Sequence, residues 1–296
     1  MAAQYFEGTD IPLLVQDLYK RVNWHWMTNG TQLINHGWTP ESGFLPYYWD
    51  TYNELIILQA IAIGAPRHPV AHEAWEAWDR LDDEYNGKRI VYSFSGSLFT
   101  YQFAQAFIDF RGLSDRGTNY FDNSKNATLA NREYSLSFRE KYKSYSENSW
   151  GLSASLGPGG YRAYGAKPGQ GIHDGTIAPY ASLSSLMFTP EISLSAIKFF
   201  YEQYGTNLYG PYGFKDAFNL DKKWWAQEYL GIDQGISILM LENFLNKGIV
   251  WKKFMELAPI QKWIELCGLQ EKNYSLRRNL SANREAVSPT ISGVTA

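Results

Sequence analysis

The sequence predicts an all-α fold in which antiparallel helix pairs close into a toroid. Three observations favour this class. Helix start and stop signals recur along the chain, strand signals are sparse, and long loops rich in glycine, proline and aromatic residues separate the helices. Helices with an apolar face bury that face against one another, and successive pairs can close into a ring. The loops at one rim of such a ring would then form a pocket.

Capping residues and apolar runs locate the helices in chain order. Asp10 followed by Pro12 marks a helix start, Gly64 followed by Pro66 marks a helix end, and Thr189 followed by Pro190 marks another start. Asp233 is predicted to cap a later helix. The predicted helices cover 10–27, 50–63, 70–78, 96–110, 122–145, 177–187, 190–204, 233–246 and 250–267, and a short strand is predicted at 90–94.

The chain has no internal linker between these elements. Residues 1–275 are therefore predicted to form one domain. The remaining residues, 276–296, are polar and lack apolar periodicity, so they are predicted to form a disordered tail.

Composition argues against several functional classes. The net charge of -3 gives no attraction for phosphate backbones, so no nucleic-acid partner is expected. No apolar run reaches the roughly 20 residues of a membrane span, and the first residues do not read as a signal peptide. The histidines lack metal-ligand spacing, and GPGGYRAYG follows no strand and opens no helix, so neither a metal nor a cofactor is predicted.

The aromatic content is unusually high, at 16% of residues. Aromatic rings fill protein cores, and they also offer flat apolar faces to pyranose rings. Both interpretations stay open for the aromatic residues in loops. The longest loop, 150–175, contains eight glycines, and long ordered loops of this kind usually carry function or act as lids.

Two carboxyl groups could carry acid–base chemistry, which glycosidic cleavage requires. Glu54 precedes an apolar helix, where burial would raise its pKa as a general acid needs. The alternative is a capping box with Thr51. Asp233, in GIDQG, precedes another apolar helix, and it is either a plain helix cap or an ionised base in the positive potential of the helix start.

Other polar residues are weaker candidates. Asp174 precedes a glycine, which is a turn signal, and Asp216 lies in the loop segment GFKDAFN. Arg111, in IDFRG, is a candidate substrate contact, with an internal ion pair to Asp109 as the alternative.

Eleven short segments, in this order, resemble the glucoamylase-like domain family, which includes the β-1,2-glucanases of glycoside hydrolase family 144. Each segment alone is weak, but the ordered set is specific. They are NWHWM (23–27), YNE (52–54), GAPRHP (64–69), IDFRG (108–112), NYFDNSKNATLANR (119–132), WGLSAS (150–155), GYRAYGAKP (160–168), DGTIAP (174–179), YGFKDAFN (212–219), GIDQG (231–235) and LENF (241–244).

The resemblance implies an (α/α)6 barrel and an anomer-inverting hydrolase of β-linked glucan, with β-1,2-glucan the expected substrate. The family pattern places the general acid on Glu54 and the base side on Asp233. It also implies a cleft lined by substrate-binding residues, which are Trp49, Asp50, Trp150, Asp174 and Asp216.

Three departures from the family pattern bear on activity. The family begins with further helices that carry an acidic Asp-x-x-Glu segment, so the toroid is expected to be incomplete at its N-terminus and to correspond to the C-terminal two-thirds of the domain. A family His-Gln-Tyr-Ser-His stretch reads YQFAQ at 101–105, and a family Asp is Leu156 here.

These departures leave a second hypothesis open. The chain would then be a catalytically impaired remnant that acts as a sugar-binding or structural toroid, covered by a second copy or by a partner chain. The compartment also stays open: periplasmic or secreted if a signal segment preceded the chain, and cytoplasmic otherwise.

Overall fold

The computed structural model describes residues 1–269, and α-helices dominate it. The helices are α1 (Ile11–Arg21), α2 (Leu55–Ile63), α3 (Ala74–Ala77), α4 (Leu98–Phe107), α5 (Tyr120–Ser137), α6 (Pro179–Leu183), α7 (Pro190–Leu208), α8 (Gly231–Leu245), α9 (Ile249–Met255) and α10 (Ala258–Leu266). Short 3-10 helices lie at Ala2–Phe6, Trp26–Thr28 and Phe110–Gly112.

Strands occur within residues 1–269 only as two-stranded antiparallel pairs between or beside the helices. The pairs are β1 (Trp38–Thr39) with β2 (Gly43–Phe44), β3 (Asp82–Tyr85) with β4 (Lys88–Val91), β5 (Ser114–Asp115) with β6 (Thr118–Asn119), β7 (Ala154–Ser155) with β8 (Arg162–Ala163), β9 (Tyr209–Gly210) with β10 (Gly213–Phe214), and β11 (Phe218–Asn219) with β12 (Trp224–Trp225). Because no pair extends into a larger sheet here, the all-α prediction is confirmed.

Several helix boundaries differ from the prediction. The helix predicted at 250–267 is two helices, α9 and α10, because Pro259 lies in the first turn of α10 and cannot continue the hydrogen bonds of a helix. The helix predicted from Asp50 begins only at Leu55. The strand predicted at 90–94 is β4, which ends at Val91. The predicted tail, 276–296, lies outside the described residues.

The cap predicted at Asp233 is wrong. Leu230 is the N-cap of α8, and Asp233 is a residue of the first turn. The difference matters for the site because a first-turn side chain can point into the protein instead of folding back over the helix end.

Helix α4 lies at the centre of the packing. It contacts α2, α5, α8 and α9, while α8 also contacts α6 and α9, and α6 contacts α7. Helix α2 (LIILQAIAI) is apolar on all sides, which is typical of a helix buried within a larger core. Helix α1 is the opposite case, since none of its residues is buried.

Large aromatic side chains form the part of the core between α2, α3, α5 and α10. Tyr52 stacks on Tyr120 with ring centroids 5.5 Å apart, and Trp75 meets Trp263 edge to face at 5.2 Å. Trp78 lies 5.6 Å from Trp75. All five rings are fully buried or nearly so. Much of the aromatic content therefore serves the core, as one of the two sequence interpretations expected.

A buried ion pair crosses this aromatic core. Arg80 Nε donates to Asp115 Oδ2 over 2.7 Å, and the two side chains are only 8% and 5% exposed. The guanidinium lies 3.8 Å from the Trp78 ring centre and donates to the carbonyl oxygens of Trp75 (2.7 Å) and Trp78 (3.0 Å). Tyr120 donates its hydroxyl hydrogen to the same Asp115 oxygen at 3.0 Å.

We expect Gly64→Ala to destabilise the protein by about 1–3 kcal/mol, the range for overpacking a core. Gly64 ends α2 against α10, and a Cβ there would lie 1.9 Å from the Pro259 carbonyl oxygen. That contact is with backbone, so no side-chain rotation relieves it. Urea unfolding measures the change in the free energy of unfolding.

Gly205→Ala is the matched control. Gly205 lies inside α7 and its added Cβ would meet nothing within 4 Å, so alanine should stabilise the helix by about 0.5–1 kcal/mol. If both variants were equally stable, the close packing of α2 on α10 would not be a constraint on the fold.

Among residues 1–269, none of the helices combines the length and the apolar character needed to cross a bilayer.

Candidate active site

Two buried carboxyl groups, those of Asp216 and Asp233, form the centre of the candidate site. Each residue is 1% exposed, and each side chain shifts the pKa of the other. Burial raises the pKa of both, and the neighbouring Asp216 helps to raise the pKa of Asp233 to about 8. Both carboxyls therefore bind a proton more tightly than two exposed aspartates would.

The two carboxyls come from different elements. Asp233 is in the first turn of α8. Asp216 lies in the short connection between β10 and β11, where its backbone N–H donates to the carbonyl of Glu228 at 3.1 Å. The positive end of a helix favours a carboxylate by about 0.3–1 kcal/mol. Burial beside a second carboxyl is the stronger effect here and raises the pKa of Asp233, opposite to the effect of the helix start.

The loop before β8 is attached to this pair. The backbone N–H of Leu156 donates to Asp216 Oδ2 over 2.6 Å. Leu156 is the position at which the family pattern has an aspartate, and in this chain its backbone contacts the site while its side chain brings no charge. The β7–β8 hairpin is thereby held beside the two carboxyls.

A row of hydroxyl groups lies behind Asp233. The Tyr180 hydroxyl lowers the pKa of Asp233 and lies 2.6 Å from Ser153 Oγ, which is 3.1 Å from Ser97 Oγ. The Tyr180 hydroxyl also donates to the Ala154 carbonyl at 2.7 Å. These bonds fix the hairpin, α4 and α6 relative to one another.

Glu54 is the third carboxyl of the site. It is the residue before α2 and is partly buried, and burial raises its pKa. Neither Thr51 nor Glu54 caps α2 with its side chain: Asn53 Oδ1 accepts the hydrogen of the Leu55 amide at 2.8 Å instead. The capping-box alternative for Glu54 is therefore wrong, and its side chain is available for another role.

Tyr161 connects the three carboxyls. It lies in the turn of the β7–β8 hairpin, and its side chain is 58% exposed. Burial of its hydroxyl raises the pKa of Tyr161, and the charges of Asp233, Asp216 and Glu54 raise it further. One aromatic side chain thus lies within electrostatic range of all three acidic groups and is also open to solvent.

The structure places two of the predicted substrate-binding residues near the surface before α2. Trp49 is partly buried, with its ring centre 4.3 Å from that of His36, and Asp50 is exposed. The Asp50 carbonyl accepts the Asp79 amide hydrogen at 2.7 Å. Both precede Glu54 closely in the chain, and their roles stay predictions.

Three further candidates are buried or bonded within the protein. Trp150 is fully buried, so neither face of its ring is open to a sugar. Asp174 accepts from the Tyr164 hydroxyl at 3.1 Å and from the Thr176 amide at 3.0 Å, which is the turn geometry that its neighbour Gly175 indicated. Asp216, predicted to line the cleft, is buried against Asp233 and contacts that carboxyl instead.

Arg111 lies elsewhere in the structure. Its guanidinium donates to both oxygens of Asp109, at 2.8 and 2.6 Å, and stacks 4.6 Å from the Trp251 ring centre. These residues line an open pocket of about 610 Å³ that contains none of the three site carboxyls. Of the two interpretations of Arg111 in the sequence, the internal ion pair with Asp109 is the one seen in this structure.

Residues 1–269 contain no group of three or more His, Cys, Asp or Glu side chains arranged to hold a metal ion. The stretch that replaces the two family histidines is internal. Gln102 donates to the Ala181 carbonyl at 2.7 Å, and Gln105 donates to the Tyr120 carbonyl at 2.8 Å. These two side chains join α4 to its neighbours.

Comparison with known families gives a direct match to this region. Residues 46–258, more than half of the chain, match the family described as "Putative glucoamylase". The chain belongs to this family. The resemblance drawn from the eleven segments is therefore confirmed, and the helical architecture is the toroid of that family.

Solved structures support the same assignment. A "putative glucoamylase" of Bacteroides uniformis is 34% identical, with a TM-score of 0.84 over 91% of this chain and 68% of that chain. An endo-β-1,2-glucanase of Chitinophaga pinensis, solved with sophorotriose and glucose, is 32% identical, with a TM-score of 0.83 over 89% of this chain and 67% of that one.

A curated relative points the same way. An exo-β-1,2-glucooligosaccharide sophorohydrolase of Parabacteroides distasonis, acting at the non-reducing end, is 28% identical over 298 aligned residues. The alignment covers 89% of this chain, and the chain spans 41% of the length of that relative. The characterised relatives in this comparison are glycoside hydrolases of β-1,2-glucans.

Sequence reasoning identified all three carboxyls but missed two tyrosines and one pairing. Tyr161 and Tyr180 were not singled out, and Asp216 was expected to face the cleft. Tyr161 follows two glycines, Gly159 and Gly160, in the longest loop, and an aromatic residue at such a turn is a signal that could have identified it.

Proposed function

We propose that this chain carries the acid–base carboxyls of a glycoside hydrolase that cleaves β-linked glucan, with β-1,2-glucan as its substrate. The observation that carries the proposal is that two buried carboxyls, Asp216 and Asp233, and the partly buried Glu54 all act electrostatically on the exposed Tyr161 side chain. Glycoside hydrolysis needs one carboxyl that gives a proton and one that takes a proton. An aromatic ring beside them suits a pyranose substrate.

Glu54 is proposed as the general acid. A general acid must hold its proton near the working pH, and burial raises the pKa of Glu54 in that direction. Its side chain does not cap helix α2. It would protonate the glycosidic oxygen as the bond to the anomeric carbon breaks, and would itself become a carboxylate.

Asp233 is proposed to act on the base side, together with Asp216. The attacking water forms its bond to the anomeric carbon and loses a proton, and the carboxyl pair receives that proton. Because both carboxyls are 1% exposed, a hydroxyl group or a second water must connect them to the attacking water. Attack from the face opposite to Glu54 would invert the anomeric configuration.

The choice of substrate rests on the relatives. One cleaves sophorose units from β-1,2-glucooligosaccharides, and another is an endo-β-1,2-glucanase. The two differ in where they cut the chain but share the linkage. The linkage is therefore the part of their specificity that we propose for this chain.

Release of reducing sugar from three polymers tests the proposal. We expect release from β-1,2-glucan and none from β-1,3-glucan or starch. Release from β-1,3-glucan or starch alone would contradict the linkage. No release from any of them by a folded protein would contradict the hydrolase proposal and favour the alternative below.

A second candidate function rests on exposed apolar surface. This is the sugar-binding or structural toroid that needs a second copy or a partner chain to cover it. Helix α1 exposes most of its apolar side chains, and α7 and α8 line a groove of about 550 Å³ between them. The exposed apolar side chains on these helices include Leu13, Leu14, Leu18, Leu194, Tyr201, Ile238 and Leu245.

Large apolar patches mark interaction sites on soluble proteins. If a second copy covers the α7–α8 groove, sedimentation velocity should show a dimer, and Ile238→Glu should convert it to a monomer. Phe94→Glu is the control, since Phe94 is at least as open to solvent as Ile238, at 68% against 60%, but lies between β4 and α4 and does not line the groove. A monomeric wild-type chain at tens of micromolar would rule out the second copy as the cover.

A further inference from the structure

The Asp216–Asp233 pair contains two oxygen atoms that the other hydrogen bonds do not explain. Asp216 Oδ2 accepts from the Leu156 amide, but Asp216 Oδ1 and Asp233 Oδ2 are buried and have no partner when both groups are counted as carboxylates. A carboxylate accepts hydrogen bonds but cannot donate one. Leaving two such oxygens unpaired in the interior is costly.

One proton removes this difficulty. The two carboxyls lie on segments that are held together, since the Gln234 side chain, next to Asp233, donates to the Phe214 carbonyl at 2.8 Å. If either carboxyl is protonated, its O–H can donate to the other carboxylate, with which it interacts. Two adjacent carboxyls that cannot both ionise share a proton in this way in other proteins. The buried position of both groups makes full ionisation still less favourable.

We propose that Asp216 is a positioning residue that shares a single proton with Asp233, so that the two side chains act as one acid–base unit with a single negative charge. The catalytic contribution of this unit rests on the proposed hydrolase function, whereas the shared proton does not. Asp216 would act through Asp233 and the attacking water, without touching the sugar.

The groups around the pair are consistent with one proton. Within residues 1–269, the groups that shift the pKa of either carboxyl are acidic or neutral: Glu228 acts on Asp216, and the Tyr180 hydroxyl acts on Asp233. On the hairpin, Tyr161 lies within electrostatic range of both carboxyls and of Glu54. The Leu156 amide is the donor from the loop. A second negative charge on the pair would have only neutral donors to stabilise it.

A shared proton gives the pair a defined part in the reaction. With one proton bound, the pair takes up the proton that the attacking water loses and then holds two protons. Glu54 gives its proton to the leaving oxygen in the same reaction. Turnover is completed when the pair returns one proton to solvent and Glu54 regains one.

Carbon-13 NMR of protein labelled at the aspartate side-chain carboxyl carbon tests the shared proton directly. Asp216→Asn and Asp233→Asn assign the two resonances. In the wild type we expect each resonance to report two linked steps, with the upper step near pH 8. In Asp216→Asn the midpoint of Asp233 should fall by about one pH unit or more, because the neighbouring charge is gone.

Asp174→Asn is the matched control. Asp174 is also partly buried and hydrogen-bonded but is not part of the pair, so both pair resonances should titrate as in the wild type. An unchanged Asp233 midpoint in Asp216→Asn would overturn the proposal, because burial alone would then set it. Two independent steps below pH 5 in the wild type would overturn it even if neither variant folds.

The free energy of unfolding gives a second readout. The folded-state pKa of Asp233 is raised from 3.8 to about 8, so its contribution to stability is fully present below pH 3.8 and is lost as pH rises through 8. Stability of the wild type should therefore fall relative to Asp233→Asn between these two values. A constant difference between the two proteins over this range would contradict the proposal.

The activity of the wild type separates this inference from the proposed function. If β-1,2-glucan is not cleaved but the linked titration is found, the hydrolase proposal fails and the shared proton stands. If glucan is cleaved and the carboxyls titrate independently, the shared proton fails and the hydrolase stands.

Discussion

Glu54→Gln should lower kcat/KM for β-1,2-glucan by about 10²–10⁴-fold, the contribution of a general acid. Glutamine keeps the size and hydrogen-bonding capacity of the side chain but has no proton of suitable acidity to give to the leaving oxygen. In the wild type, activity should fall as pH rises through the pKa of Glu54, which burial raises above 4.5. Initial rates measured across pH check both expectations.

Two controls separate chemistry from folding in this experiment. Glu84→Gln changes an exposed glutamate on β3 and should leave activity unchanged. A β-glucoside with an aryl leaving group that departs without protonation should recover part of the rate lost in Glu54→Gln. Wild-type turnover of glucan by Glu54→Gln would show that another group is the acid.

The largest effect on stability should come from breaking the Arg80–Asp115 pair. We expect Arg80→Met to lower the free energy of unfolding by about 3–5 kcal/mol, because it leaves the buried Asp115 carboxylate with only the Tyr120 hydroxyl and no cation. The carbonyl oxygens of Trp75 and Trp78 lose their donor at the same time. Urea unfolding followed by tryptophan fluorescence measures the loss.

Arg89→Met is the matched control for this prediction. Arg89 pairs with Asp82 over the same 2.7 Å, but these side chains are 62% and 41% exposed. Exposed pairs contribute about 0–1 kcal/mol. The double variant Arg80→Met, Asp115→Asn should recover part of the loss, since it removes the unpaired charge. Equal losses in Arg80→Met and Arg89→Met would show that burial of the first pair does not matter.

The fold class could be predicted from the sequence because it depends on local signals. Pro190 opens α7, as expected from its backbone preference. Helix α2 ends at Gly64 as predicted, although Gly64 keeps a right-handed φ of -72° there. The errors in helix boundaries occurred where the same local sequence pattern is compatible with two different structures. Pro259 follows an apolar run that reads as one helix, but it divides that run into α9 and α10. Aspartate is a common N-cap residue, but the N-cap of α8 is Leu230 and not Asp233.

The sequence predicted which carboxyl residues belong to the site, but not which of them interact with each other. Glu54 and Asp233 were identified from their positions before apolar helices and from the family pattern. The contact of Asp216 with Asp233 joins a loop to a helix start, and no local pattern encodes it. Trp150 is a different case: the family resemblance placed it in the cleft lining, but the structure buries it completely.

The measurement that tests the central proposal most directly is proton NMR of β-1,2-glucan during its reaction with the wild-type chain. One spectrum series reports both the cleavage and the anomer formed. We expect new reducing-end signals in the α configuration first, with the β anomer appearing later by mutarotation, as inversion requires. Initial release of the β anomer would contradict the inverting mechanism, and a polymer spectrum that does not change would contradict the hydrolase itself.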